Sequence, residues 1–230
     1  MFKKTGCILL VIGLLVVTAW FRPWDKVEFS WKNLLGIENI KEYSGLSVFS
    51  LKDQLEVYID NEFIDQVDAT GGMLEIADIE PGVHRVTLRK DAGSTAQYYE
   101  FSKSINFDAG VSNVIAYELG PSREFSQGHV FYTEKKSIND VSEKTFISFL
   151  SSINEVEVYL DDKLIGKTPL EDYDIPLNKQ YEVKLKKNGY EELSFKILPE
   201  AGEERKKLNN LHLYIEAELF LKPFEIIKPQ

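Results

Sequence analysis

The sequence predicts an all-β protein, two tandem small antiparallel β-sandwich domains preceded by one N-terminal transmembrane helix. Three observations predict it. An uncharged apolar run occupies residues 5–21, an eleven-residue segment recurs at an offset of 101, and alternating segments punctuated by Gly, Pro, Asn and Asp fill the rest. With 43% hydrophobic and 28% charged residues in 230, the chain has the composition of a folded globular body, not of a disordered one. Its single cysteine excludes an intrachain disulfide and a thiolate zinc site. The 27 Lys and Arg against 37 Asp and Glu leave a net charge of -10, which repels a polyphosphate and disfavours nucleic acid, so no nucleic-acid partner is expected.

Residues 1–24 read as a signal anchor. Lys3 and Lys4 precede the apolar run, and Trp20 and Trp24 supply interfacial aromatics behind it. At ~1.5 Å per residue a helix over 5–21 just reaches across a hydrocarbon core of ~30 Å. Lysines ahead of the run place the N-terminus in the cytoplasm, giving a single-pass cell-membrane protein with its C-terminal body outside. Val17-Thr18-Ala19 also offers the small residues of a cleavage site, so a signal cleaved after Ala19 and a secreted body stays open. Cys7 opens the run, whereas a lipid-modified cysteine follows it. Residues 25–43 form a juxtamembrane connector. There Val27, Trp31, Leu34 and Leu35 have helical spacing while Val27, Phe29 and Trp31 alternate like a strand.

The repeat pairs Leu55-Glu56-Val57-Tyr58-Ile59-Asp60-Asn61-Glu62-Phe63-Ile64-Asp65 with Val156-Glu157-Val158-Tyr159-Leu160-Asp161-Asp162-Lys163-Leu164-Ile165-Gly166. It divides the rest into a first domain at 44–121, a linker at 122–142, a second domain at 143–224 and a tail at 225–230. Leu55, Val57 and Ile59 alternate with Glu56 and Tyr58, so one face is buried and one wet. Asp60-Asn61 and Asp161-Asp162 tolerate positive φ and predict tight primed hairpin turns. Further strands are expected at 47–51, 73–76, 84–89, 98–105 and 112–119, and at 145–150, 181–186, 193–198 and 210–221. A strand at 129–134 could close the first domain or open the second. Each repeat carries its own alternating strands, which predicts that each buries its own core and folds alone.

The run from Glu157 to Leu170, with Gly166-Lys167-Thr168-Pro169 inside it and Lys187-Asn188-Gly189-Tyr190 after it, resembles the PEGA domain. The first repeat supplies the complementary Pro81-Gly82-Val83-His84 beside its own Val57-Tyr58-Ile59-Asp60-Asn61. It lacks the Gly-x-Thr-Pro step, having Asp65-Gln66-Val67-Asp68 there. The resemblance implies a small β-sandwich on the outside of membrane-anchored or secreted microbial proteins, used as a non-catalytic module.

Other residue patterns point to ordinary structure. Gly166-Lys167-Thr168 lacks the glycine and the following helix of a phosphate-binding loop. His84, His129 and His212 have no metal or triad spacing. The acids at 60, 62, 65 and 68 with Asn61 between the first two, and those at 161, 162, 171, 172 and 174, lack calcium-loop spacing and read as solvated turns. Lys184 to Lys187 and Arg205 to Lys207 read as exposed loop ends. No catalytic residue, cofactor or metal is therefore expected, and no binding residue can be named. The expected function is a non-enzymatic, membrane-anchored extracytoplasmic spacer or protein-interaction module of the cell envelope, whose partner is another envelope protein or a second copy of the chain. A secreted or wall-associated carbohydrate- or peptidoglycan-binding protein is the alternative.

Overall fold

A computed structural model describes residues 42–50, 52–69, 71–90, 97–135 and 145–222. The expected anchor, Cys7, connector residues 25–41 and the tail lie outside the described residues. Among the described residues no helix is long and apolar enough to cross a membrane.

The fold is all-β, as the alternation predicts. In the first repeat β1 (Ser44–Phe49) enters a large sheet, and β2 (Leu55–Ile59) and β3 (Glu62–Val67) form a hairpin in a small one. Next, β4 (Met73–Ile79) returns to the large sheet antiparallel to β1, and β5 (Gly82–Lys90) with β6 (Phe101–Phe107) completes the small sheet. Finally β7 (Ser112–Glu118) pairs with β1 in parallel. After β8 (Gln127–Lys135) the second repeat traces the same path. Its large-sheet strands are β9 (Phe146–Ser151), β12 (Leu170–Asp174) and β15 (Leu211–Glu218). Its small sheet holds β10 (Glu157–Leu160), β11 (Lys163–Lys167), β13 (Tyr181–Lys186) and β14 (Leu193–Ile197). A short helix α1 (Gly202–Lys207) precedes β15 and carries the basic run expected in a loop.

Two features depart from the expectation of purely antiparallel sandwiches. The β1–β7 and β9–β15 pairs are parallel, because the chain between them crosses to the small sheet and back, the long connection that a parallel pair requires. The large sheet also runs through both repeats, in the order β12-β9-β15-β8-β7-β1-β4. The strand expected at 129–134 lies at its centre, antiparallel to both β7 and β15. The described residues from Glu42 to Lys222 accordingly belong to one compact unit.

The side chains of β8 show how the halves are arranged. Val130 and Tyr132 join the core of the first repeat, with Val48, Val57 and Leu88, while Phe131 joins that of the second, with Phe149, Val158 and Leu213. Successive strand residues point to opposite faces, so the two small sheets cover opposite faces of the large one. Burying Val130 and Phe131 contributes roughly 1.5–3 kcal/mol each, one to each core. Gly128 lets β8 approach β7 closely, since a Cβ there would lie 2.3 Å from the Ala116 carbonyl oxygen.

The two hairpin turns form as the sequence predicts. Asp60 and Asn61 have φ of 51° and 69°, and Asp161 and Asp162 have 48° and 63°. In each, the first aspartate accepts a backbone N–H from the neighbouring strand, from Arg85 at 2.8 Å and from Glu182 at 3.0 Å.

Candidate interaction surfaces

The duplication extends to side chains on the outer faces of the small sheets. Tyr58 pairs across the hairpin with Phe63, and Tyr159 with Leu164. Each tyrosine hydroxyl donates to the glutamate two residues before it, Glu56 at 2.8 Å and Glu157 at 2.9 Å, and that carboxylate holds the hydroxyl above its ordinary pKa. A cation covers each ring and pairs with a glutamate just before the next strand. Arg89 lies 4.7 Å from the Tyr58 centroid and 2.6 Å from Glu100, and Lys186 lies 5.3 Å from the Tyr159 centroid and 3.0 Å from Glu192. Both tyrosines are thereby fixed, while Phe63 and Leu164 beside them each stay 49% exposed.

The histidines have separate environments. His84 presents Nδ1 to the Asp60 carboxylate at 2.7 Å and Nε2 to the Glu80 carbonyl at 2.8 Å. An acceptor at each nitrogen favours its protonated form, and its pKa is raised first by Asp60. Asp60 in turn is held low by the Arg85 N–H and by His84. Lys179 fills the same role in the second repeat, 2.5 Å from Asp161. His129 on β8 is buried and stacked on Phe195 at 3.7 Å, and burial alone pushes its pKa down to about 3. His212 Nε2 lies 2.9 Å from Ser148 Oγ and 3.6 Å from Asp172. Hydroxyl and carboxylate share one ring nitrogen there, whereas a catalytic triad needs them on opposite nitrogens.

Two clefts are lined by charge. At the seam between the repeats a cleft of about 350 Å³ holds Lys103, Arg123, Glu216 and Glu218. Lys103 pairs with Glu216, and Glu218 accepts from Arg123 and from Ser152. At one end of the second repeat a cleft of about 450 Å³ gathers Lys167, Lys186, Lys187 and Lys222 with Glu155, Glu157 and Glu192. The seam carboxylates escape a reading of the sequence: they sit at alternate positions of one strand, but their cationic partners come from 113 and 95 residues away.

Among the described residues no three His, Cys, Asp or Glu side chains gather closely enough to hold a metal. Gly166-Lys167 ends β11, and the following Thr168 turns inward, accepting from the Val156 N–H and donating to the Ile153 carbonyl. Glu171, Asp172 and Asp174 lie on the edge strand β12 and not in a turn. The difference arises because the Thr-Pro step before them and their charge both resemble loop sequence.

Residues 147–212, from β9 to the start of β15, match the family model of the PEGA domain. The first repeat has the same strand order. No curated protein matches the chain.

Proposed function

We propose that this chain, with a PEGA domain in its second repeat, is a non-enzymatic, membrane-anchored extracytoplasmic protein that serves as a rigid spacer and protein-interaction body of the cell envelope. The observation that carries the reading is the seven-stranded sheet through β8. Halves that share one sheet hold their surfaces at a fixed separation, which a spacer requires. The exposed apolar side chains Phe63, Ile64 and Leu164 sit on strand edges, where protein partners are recognised. The apolar run at 5–21 supports the anchor, and the residues after Trp24 carry a net charge of -13, which opposes binding to anionic wall polymers. The lysine-lined cleft of the second repeat favours a second reading, a secreted carbohydrate- or peptidoglycan-binding protein.

Fractionation of cells expressing the full chain tests both. The first reading expects the chain in membranes, released by detergent but not by salt, with its body cleaved by protease added to spheroplasts. Protection from that protease overturns it. A mature protein lacking Met1 to Ala19 that binds purified peptidoglycan and is released as salt rises favours the second.

A further inference from the structure

Among the described residues each small sheet ends in a strand with no neighbour on its outer side, β3 in the order β3-β2-β5-β6 and β11 in the order β11-β10-β13-β14. Along β3 the side chains of Glu62, Phe63, Ile64 and Asp65 are all exposed, and along β11 so are Lys163, Leu164 and Lys167. The two strands hold the same place in their repeats, yet their charges are opposite. Glu62 and Asp65 flank the apolar pair on β3, and Lys163 and Lys167 flank Leu164-Ile165 on β11. Among the described residues none of these four charges has a salt-bridge partner.

An exposed apolar edge is a template for another strand, and charge on it is the usual protection. Here the protection is selective. Acidic edge against acidic edge repels, lysine edge against lysine edge repels, and unlike edges attract. The small sheets lie on opposite faces of the large one, so β3 and β11 of one molecule cannot satisfy each other. We infer that the acidic edge β3 of one copy docks on the basic edge β11 of the next, so that the chain associates head to tail with copies of itself. The two patches differ, so the contact is heterologous and each added copy leaves one edge of each kind free. One bulge in each hairpin, at Val57/Tyr58 and at Val158/Tyr159, bends the edge and keeps the contact short, and the association is correspondingly weak. It does not depend on the anchor or on the envelope reading.

Sedimentation velocity of the full chain in mild detergent, over a rising concentration series, is the test. Wild type should shift toward heavier species with concentration, and the reversals Glu62→Lys/Asp65→Lys and Lys163→Glu/Lys167→Glu should each weaken that shift at least about tenfold. Mixing the two variants in equal amounts should restore it, because one then carries two basic edges and the other two acidic ones. Restoration also shows that both variants are folded, and the apolar N-terminal run, common to all, cannot produce the pattern. A wild type that stays monomeric, variants that associate like wild type, or a mixture no heavier than its components overturns the inference.

Discussion

Lys103 Nζ lies 2.7 Å from a carboxylate oxygen of Glu216, joining the edge of the first small sheet to the strand that closes the second repeat. The Tyr132 hydroxyl, from the shared β8, donates to the same carboxylate at 2.8 Å. Lysine and glutamate side chains keep 24% and 31% of their exposure, so the pair is neither bare nor dry. Lys103→Met should cost about 1 kcal/mol, near the upper end for an exposed pair because Glu216 is left with one donor fewer. The urea midpoint reads it, and no loss of stability would show that the seam is held by apolar packing alone.

The shared strand changes the expectation that the repeats fold singly. Residues 42–121 alone lack Val130 and Tyr132 from their core, and residues 143–222 alone lack Phe131. Neither fragment should show a cooperative thermal transition by circular dichroism, whereas 42–222 should melt in one. Two separate transitions in the joined body, or a sharp one in either fragment, would contradict a common sheet.

His129 gives stability a pH dependence of known sign. Folded, its pKa is about 3, against about 6.5 in the unfolded chain. Between those values the unfolded state binds a proton that the folded state refuses, so stability falls as the pH drops from 6.5 toward 3. The slope is on the order of 1 kcal/mol per pH unit, and His129→Phe should remove it. His84 acts oppositely. Its contribution is complete below the ordinary histidine range and is lost as the pH rises through its raised pKa. Urea titrations at pH 4.5 and 7 separate the two, and an unchanged difference in His129→Phe would refute the assignment.

At the first hairpin turn, Asn61 has φ of 69°, which glycine adopts without strain. Asn61→Gly should stabilise the protein by about 0.5–1 kcal/mol and Asn61→Val should destabilise it. Asp60→Ala should destabilise it too, by about 1–2 kcal/mol, since the Arg85 N–H and His84 lose their acceptor. Melting temperatures that rank the three variants otherwise would place the stabilising contacts elsewhere.

What the sequence makes legible here is local. Alternation at Leu55-Val57-Ile59 and at Val156-Val158-Leu160, each followed by two residues that tolerate positive φ, is enough to place both hairpins and the repeat. The joining of the halves is not local. Val130-Phe131-Tyr132 is apolar without interruption, the pattern of a strand buried on both faces, but nothing in the residues says that the faces belong to different cores. The opposed charges of β3 and β11 are plainly written in the sequence, Glu62 at the position aligned with Lys163 and Asp65 one place before the position aligned with Lys167. They gain meaning only once both strands prove to be edges. The seam pair is invisible for the same reason, because Lys103 and Glu216 are brought together by the order of strands and not by spacing.

The direction of the strands decides how the body answers a pull. β1 and β15 run the same way in the large sheet, since β15 and β7 are both antiparallel to β8 and β7 is parallel to β1. Tension applied at the start of β1 and the end of β15 is therefore directed along the strands. Such a load shears whole ladders of hydrogen bonds at once instead of peeling them apart singly, so rupture requires many bonds to fail together. The sheet is built as a tension member, and a tether made of it would resist stretching until it broke as a unit.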